Sequence, residues 1–226
     1  MNFIEKLERI RSLIEKAAAA AGRSAKDIQL VAVTKGVTAE RVAEAVSAGL
    51  VHFGENRVQE AEAKIPLVAG HGLHWHMIGH LQTNKAKPAL ALFQTIQSVD
   101  SVRLAKVLSD VCVEENRTAS LLLEVNASGE PQKHGFKPEE VYTAAESIMK
   151  LPGVFVRGLM GMAPNAADTA LRRECFRKLR NIFSVLKTFK NPQLEMKTLS
   201  MGMSDDFEIA IQEGANMVRL GRALFG

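Results

Sequence analysis

The most constraining feature of this sequence is a regular alternation of short apolar segments with longer amphipathic ones. Eight apolar segments have the length and composition of strands, and helical spacing follows each one except the last, where little chain remains. Strands joined through helices run parallel with right-handed crossovers, and eight such units are the number that closes a barrel. We therefore predict one α/β domain over residues 1–226, a single TIM (β/α)8 barrel with an extra N-terminal helix over about 2–21.

An open sheet is the alternative fold. The predicted strands lie at about 28–35, 50–53, 74–78, 95–99, 120–125, 154–160, 196–199 and 217–220. A six-stranded doubly wound sheet would need 50–53 and 95–99 to be loops. The G-x-G-x-x-G fingerprint of dinucleotide-binding sheets also fails to follow the first strand.

The composition argues against several other classes of protein. No stretch approaches the ~20 apolar residues of a membrane span, and charges near the start argue against a signal peptide. The two cysteines form no paired motif, so we expect a reduced, cytoplasmic protein without membrane contact. Basic residues gather between 172 and 190, and we predict a solvated helix face there. A nucleic-acid surface is the weaker hypothesis, because one Trp and one Tyr offer few rings for stacking on bases.

Lys35 stands at the carboxyl end of the first predicted strand. A lysine buried there would have a depressed pKa, which makes its amine a nucleophile toward carbonyl groups. Our hypothesis is that Lys35 forms a Schiff base with an aldehyde cofactor. The alternative is a lysine whose head group simply reaches solvent.

Polar residues follow the other strands, where a barrel places its active site. Helix capping would explain Asn56, Asp100 and Ser204 equally well. The turn from Ser200 to Ser204 resembles a phosphate site at a helix start, and Gly221 would let backbone approach an anion. Arg219 alternates with two apolar neighbours, so we predict that it lies in the lumen or against a helix. An amine, an anion cradle and a deep arginine together indicate a pyridoxal phosphate (PLP) site.

The histidines do not indicate a metal site. His74 and His76 lie two apart on a strand, with His71 and His80 nearby, but no cysteine accompanies them. Zinc requires three or four converging ligands, so we expect no metal and treat His80 as an ordinary loop residue.

Several motifs carry a resemblance to one family, the pyridoxal phosphate homeostasis proteins, over about residues 3–226. They are Val31-Ala32-Val33-Thr34-Lys35, Phe53-Gly54-Glu55-Asn56-Arg57-Val58-Gln59-Glu60, His76-Met77-Ile78-Gly79-His80-Leu81-Gln82-Thr83-Asn84-Lys85, Gly158-Leu159-Met160, Ser200-Met201-Gly202-Met203-Ser204-Asp205-Asp206-Phe207 and Val218-Arg219-Leu220-Gly221.

The resemblance implies a barrel like the N-terminal domain of alanine racemase, with PLP on Lys35 and Asn56 beside the ring. It implies phosphate contacts from Ser200 and the backbone near Gly221, with Arg219 close to the ring nitrogen or the phosphate. Two residues depart from the family pattern. Arg57 replaces a common Tyr, and Arg222 replaces a small hydroxyl residue, so side-chain contacts there do not carry over.

The resemblance also implies a cofactor carrier or buffer that affects amino-acid and keto-acid balance and serves PLP-dependent apoenzymes. We expect no catalytic residues, because racemase chemistry needs two opposed acid–base groups and the single tyrosine, Tyr142, falls inside a predicted helix. We expect a monomer, because the sequence pattern lacks the second domain of the racemases. A low-activity PLP enzyme such as an amino-acid racemase is the alternative. From the barrel alone, an aldolase that uses Lys35 on phosphorylated sugars is another.

Overall fold

The structure is a computed structural model, and it describes residues 1–164 and 168–226. Eight parallel strands close into a barrel in which every strand pairs with its neighbours in chain order and β8 returns to β1. The strands are β1 (Gln29–Val33), β2 (His52–Glu55), β3 (His74–Met77), β4 (Thr95–Val99), β5 (Ala119–Val125), β6 (Val154–Gly161), β7 (Leu194–Ser200) and β8 (Met217–Leu220). The predicted barrel is confirmed. The open-sheet alternative is wrong, because both segments that it required as loops are paired strands.

Helices connect the strands around the outside of the barrel. They are α1 (Phe3–Ala20), α2 (Ala39–Ser47), α3 (Val58–Lys64), α4 (Ala86–Leu92), α5 (Val102–Glu114), α6 (Val141–Ile148), α7 (Thr169–Leu186), α8 (Phe207–Gln212) and α9 (Arg222–Phe225). The extra N-terminal helix begins at a capping box, in which the side chains of Asn2 and Glu5 each accept the other's backbone N–H. It packs on the last helix, where Phe3 stacks on Phe225 with 5.5 Å between ring centroids.

Alternation along each strand separates the helix-facing side chains from those in the lumen. On β2 and β3, Phe53 and Trp75 are buried together, with ring centroids 5.2 Å apart. Their strand neighbours His52 and His76 meet on the opposite face, with 3.2 Å between Nδ1 of His52 and Nε2 of His76. Lumen residues near the carboxyl ends of the strands therefore form the candidate site.

The first strand ends earlier than predicted. It stops at Val33, and a turn follows in which Val37 N–H donates to the Thr34 carbonyl at 2.9 Å and Gly36 has φ +66°. Lys35 lies in this turn and is exposed. The prediction of a buried lysine at the end of the strand is therefore wrong.

The basic residues of α7 are partly neutralised by a neighbouring carboxylate. Arg173 and Arg177 donate to Glu213, at 2.9 and 3.0 Å, where α7 packs against the end of α8. These two arginines thus join helices to each other. Within the described ranges, no helix combines the length and the apolar character needed to cross a membrane.

Candidate functional site at the barrel mouth

Two cavities open at the carboxyl ends of the strands, and both have volumes typical of small-molecule sites. The first measures about 420 Å³, and we call it the arginine cavity. Its lining residues are Val33, Lys133, Met162, Ala163, Pro164, Arg172, Met203, Ser204, Asp205, Asp206, Arg219, Gly221 and Arg222. The second measures about 660 Å³, and we call it the lysine cavity. Its lining residues are Lys35, Asn56, Arg57, Val58, Gln59, Glu60, Met77, Gly79, His80, Leu81, Gln82 and Lys85.

Arg219 of β8 lies in the lumen, which is one of the two placements predicted for it. It also reaches the arginine cavity. Its side chain is fixed by three hydrogen bonds. Nη1 donates to the carbonyl and hydroxyl of Ser200 at 2.8 and 2.7 Å, and Nη2 donates to the Gly161 carbonyl at 3.0 Å. Nε–H has no acceptor among the residues that the structure describes, so it remains available to a ligand.

The charge of Arg219 persists in this buried position. Burial lowers the pKa of the guanidinium to about 10, and the nearby carboxyl groups of Glu124 and Asp206 oppose that effect. At neutral pH the side chain is therefore a fixed cation at the inner wall of the cavity. An anion or an electron-rich ring nitrogen would be attracted to it.

Ser200, predicted as a phosphate contact, lies deeper than the cavities. It is fully buried at the end of β7, where its hydroxyl accepts from Arg219 and donates to Oε1 of Gln97 at 2.7 Å. Ser200 lines neither mouth cavity. Its direct phosphate contact stays a prediction, and its observed contacts orient Arg219.

The loop after β7 supplies backbone donors. Gly202 has φ +97°, and a Cβ there would lie 2.9 Å from Cα of Phe207, so only glycine fits. Ser204 and Gly221 line the arginine cavity, and their backbone N–H groups find no acceptor within the described part of the chain. The helices α8 and α9 have only six and four residues, so their dipoles are small. An anion would be attracted mainly by these amides and by the nearby arginines.

Positively charged side chains outnumber negatively charged ones around the arginine cavity. Lys133, Arg172, Arg219 and Arg222 line it, against the carboxyl groups of Asp205 and Asp206. Arg222 pairs with Asp205 at 2.5 Å, so its guanidinium is already engaged.

Lys35 lines the neighbouring lysine cavity together with Asn56. Oδ1 of Asn56 is buried without a hydrogen-bond partner among the described residues, so this amide can still bind a ligand. The backbone of Asn56 is fixed by close packing, because a Cβ on Gly79 would lie 2.3 Å from its carbonyl oxygen. Lys35 and Asn56 therefore line one cavity, whereas Arg219 and Gly221 line the other, and the contacts of all four with PLP stay predictions.

Capping does not explain the polar residues at the strand ends. The N-cap residues of α3, α5 and α8 are Arg57, Ser101 and Asp206. The capping alternative is therefore wrong for Asn56, Asp100 and Ser204, each of which precedes the cap by one or two residues.

Glu55, which precedes Asn56 at the end of β2, points away from the lumen. It is fully buried, and its Oε1 accepts from the Thr34 hydroxyl at 2.6 Å and from Nζ of Lys64. Lys64 also donates to the Thr34 carbonyl at 2.6 Å. This buried ion pair stabilises the chain immediately before Lys35, and strand alternation next to Asn56 would have predicted its outward direction.

Glu124 is the main residue that sequence reasoning missed. It lies on β5 and is only 4% exposed. Burial raises its pKa to about 7, the charge of Asp100 adds to this, and Arg219 opposes it. Glu124 stands between Leu123 and Val125 just as Arg219 stands between Val218 and Leu220, so a charge between apolar strand neighbours would have marked it as a candidate site residue.

Comparison with known proteins gives consistent results. Residues 6–226 match the family model described as "Alanine racemase, N-terminal domain". A pyridoxal phosphate homeostasis protein from Pseudomonas aeruginosa is 41% identical over 222 residues, covering 98% of this chain and 94% of the relative. A protein of the same name from Aquifex aeolicus is 40% identical over 226 residues, covering 100% and 98%.

A solved structure is also similar along the whole chain. PipY from Synechococcus elongatus, solved with PLP bound, superposes with a TM-score of 0.86 at 36% identity and 100% coverage of both chains. The fold, the full-length sequence matches and this superposition agree. The chain therefore belongs to the alanine racemase N-terminal domain family and, within it, to the pyridoxal phosphate homeostasis proteins.

Proposed function

We propose that this protein binds PLP at the barrel mouth and takes part in PLP homeostasis as a carrier or buffer. One observation carries the proposal: Arg219, buried and charged, shares a cavity with the unengaged amides of Ser204 and Gly221. A fixed cation beside free backbone donors fits a compact phosphorylated ligand. The relative PipY, which has PLP bound, supports this choice of ligand.

The residues present fit each part of PLP. The amides of Ser204 and Gly221 would hold the phosphate, and Nε–H of Arg219 would meet the ring nitrogen or the phosphate. The unsatisfied amide of Asn56 would lie beside the ring. When bound, PLP supplies an aldehyde, and we propose that Nζ of Lys35 bonds to the aldehyde carbon with loss of water.

The proposed role of Lys35 requires that an aldehyde can reach its amine. Its side chain is exposed in the lysine cavity, so an aldehyde can reach the amine without unfolding the mouth. The ion pair between Glu55 and Lys64, through Thr34, holds the preceding backbone. Lys35 is therefore presented from a rigid base, which favours binding at one defined position.

Storage and delivery of PLP suit this site better than turnover does. Tyr142 lies in α6, so the mouth gains no tyrosine from this chain as a second acid–base group. An arginine beside the ring nitrogen would also leave that nitrogen unprotonated and weaken the cofactor as an electron sink. We propose a single PLP-binding domain over residues 1–226 that acts as a monomer in the cytoplasm and exchanges PLP with apoenzymes.

Trapping of the bound cofactor tests the proposal. The protein is incubated with PLP, reduced with borohydride and mapped by peptide mass spectrometry, with Lys35→Ala and Lys85→Ala in parallel. We expect one adduct on Lys35 in the wild type and in Lys85→Ala, and none at the mouth in Lys35→Ala. An adduct only on another lysine, or none at all, would overturn the proposal. Amino-acid racemisation lost in Lys35→Ala would favour the enzyme alternative.

A further inference from the structure

Three metal-ligating side chains meet at the barrel mouth beside the lysine cavity. His80 follows β3, Asp100 follows β4, and His134 lies in the loop after β5, so three neighbouring strands contribute one residue each. Nδ1 of His80 lies 2.9 Å from Oδ2 of Asp100, and Nδ1 of His134 lies 3.8 Å from the same oxygen. One nitrogen or oxygen from each side chain lies within 4.8 Å of the other two.

Among the residues that the structure describes, none accepts a hydrogen bond from the His134 imidazole. The two histidine rings stack with 3.9 Å between centroids and a 13° interplanar angle, and Nδ1 of each lies within 4 Å of the same carboxylate oxygen of Asp100. That oxygen is hydrogen-bonded to His80, whereas His134 at 3.8 Å is beyond hydrogen-bond distance. A tetrahedral zinc ion with bonds of about 2.0–2.2 Å separates its ligand atoms by roughly 3.3–3.6 Å. The two nitrogen–oxygen separations, 2.9 and 3.8 Å, lie on either side of that range. Because the rings are nearly parallel, the half-exposed histidine side chains would also have to rotate to direct both nitrogens at one ion.

The backbone holds these residues in place before any ligand binds. The loop that carries His134 folds back onto β5, where Phe136 N–H donates to the Glu124 carbonyl at 2.8 Å and Asn126 N–H donates to the Phe136 carbonyl at 2.9 Å. The Asn126 side chain donates to the Glu130 carbonyl at 2.9 Å and closes the loop from inside. The Asp100 side chain is 12% exposed and thus restrained. Restraint of this kind favours metal binding, because little ordering is needed.

We propose that His80, Asp100 and His134 bind a divalent transition metal ion of the zinc type. Two imidazoles and one carboxylate are a common donor set for an open zinc site, which leaves a fourth position for water or another ligand. The side chains of His80 and His134 are 43% and 56% exposed, so an ion can enter from solvent. The expectation from sequence that His80 is an ordinary loop residue changes accordingly. The proposal is independent of PLP binding.

The open coordination position of the proposed metal site would lie next to the lysine cavity. His80 also lines the lysine cavity, together with Lys35 and Asn56. A ligand of the metal could therefore lie in the cavity that holds the reactive amine. Small carboxylates are the chemical class that such a position would accept.

The other histidine group provides a matched control. His52, His74 and His76 lie toward the amino-terminal ends of the strands, with Gln29 hydrogen-bonded to His52. These three histidines line a cavity at that end of the barrel together with the carboxylate of Glu195. Glu195 is paired with Arg157 and Lys197. This group thus offers imidazoles but no free carboxylate, and the exposed His74 can be replaced without touching the mouth.

Calorimetric titration with Zn²⁺ tests the proposal. The protein is freed of PLP with hydroxylamine and of metal with a chelator, and wild type, His134→Ala, Asp100→Asn and His74→Ala are titrated in phosphate-free buffer. We expect one Zn²⁺ per wild-type chain. His134→Ala and Asp100→Asn should weaken binding at least tenfold, and His74→Ala should leave it unchanged. Thermal melts without metal verify that each variant is folded, and His80→Ala replaces any variant that is not.

The visible spectrum of Co²⁺ provides a second measurement. We expect intense ligand-field bands, which indicate four- or five-coordinate cobalt, in wild type and His74→Ala but not in His134→Ala. The proposal is overturned by non-saturable binding in the wild type, by equal affinity in His134→Ala, or by a site that His74→Ala removes.

Discussion

Nη1 of Arg219 lies 2.7 Å from the hydroxyl oxygen of Ser200, and that hydroxyl donates to Oε1 of Gln97 at the same distance. The three residues come from β8, β7 and β4, so the chain of hydrogen bonds crosses the lumen below the arginine cavity. Arg219 is thus oriented by a residue that no ligand needs to touch. Its contribution to binding should depend on Ser200.

Replacement of Ser200 by Ala should weaken PLP binding through Arg219. The variant removes an acceptor from the guanidinium and leaves Gln97 Oε1 without its donor, so we expect a loss of about 1–3 kcal/mol in the free energy of unfolding. We also expect several-fold weaker PLP binding, measured by absorbance titration. Ser109→Ala is the control, because Ser109 is equally buried and donates to the Pro152 carbonyl away from the mouth. Equal PLP affinities in both variants would contradict the prediction.

Glu124→Gln should remove a pH dependence of stability. Burial raises the pKa of Glu124 to about 7 in the folded protein, so the folded state holds a proton that the unfolded state releases at lower pH. The stabilisation from this bound proton is present in full below about pH 4.3 and is lost as the pH rises toward 7, by about 4 kcal/mol in total. The free energy of unfolding, measured with urea at pH 5 and pH 8, should therefore decrease less between these two pH values in Glu124→Gln than in wild type. Glu146→Gln, at an exposed position of α6, should behave as wild type.

Lys64→Met should destabilise the protein strongly. It leaves the Glu55 carboxylate buried without its cation, which typically costs about 3–5 kcal/mol. Adding Glu55→Gln to the same chain should recover part of that loss, because no uncompensated charge remains. The control is Lys87→Met, because the exposed ion pairs of Lys87 with Glu114 and Glu115 are screened by solvent and should contribute much less to stability. Similar losses for the two lysine variants, measured by urea unfolding, would contradict this assignment.

The fold was predictable because its signal is repeated along the chain. Each strand and helix adds its own evidence, so an error of a few residues at one boundary does not change the number of units. The end of β1 shows the limit of this reasoning. Val33 and Lys35 are only two positions apart in sequence, and the turn over residues 34–37 that takes Lys35 out of the strand depends on local backbone geometry.

The site was predictable only in part, because contacts between different strands cannot be inferred from the sequence of a single segment. Arg219 and Lys35 could be selected from single strands. The partner of Ser200, however, is Gln97, 103 positions away in sequence. The meeting of His80 with His134 likewise depends on how the loop after β5 folds back, which residue spacing does not determine.

Arg219→Ala, assayed with both PLP and unphosphorylated pyridoxal, should identify the part of the cofactor that this arginine contacts. Arg219 is only 4% exposed and is held against Ser200 and Gly161, deeper than the amides of Ser204 and Gly221 that would take the phosphate. We therefore expect it to meet the ring and the affinities for both compounds to fall by a similar factor, at least tenfold. Absorbance titration measures both, with Arg222→Ala as control because Arg222 is already paired with Asp205. A loss confined to PLP would instead assign Arg219 to the phosphate, and unchanged affinity for both would place the cofactor elsewhere.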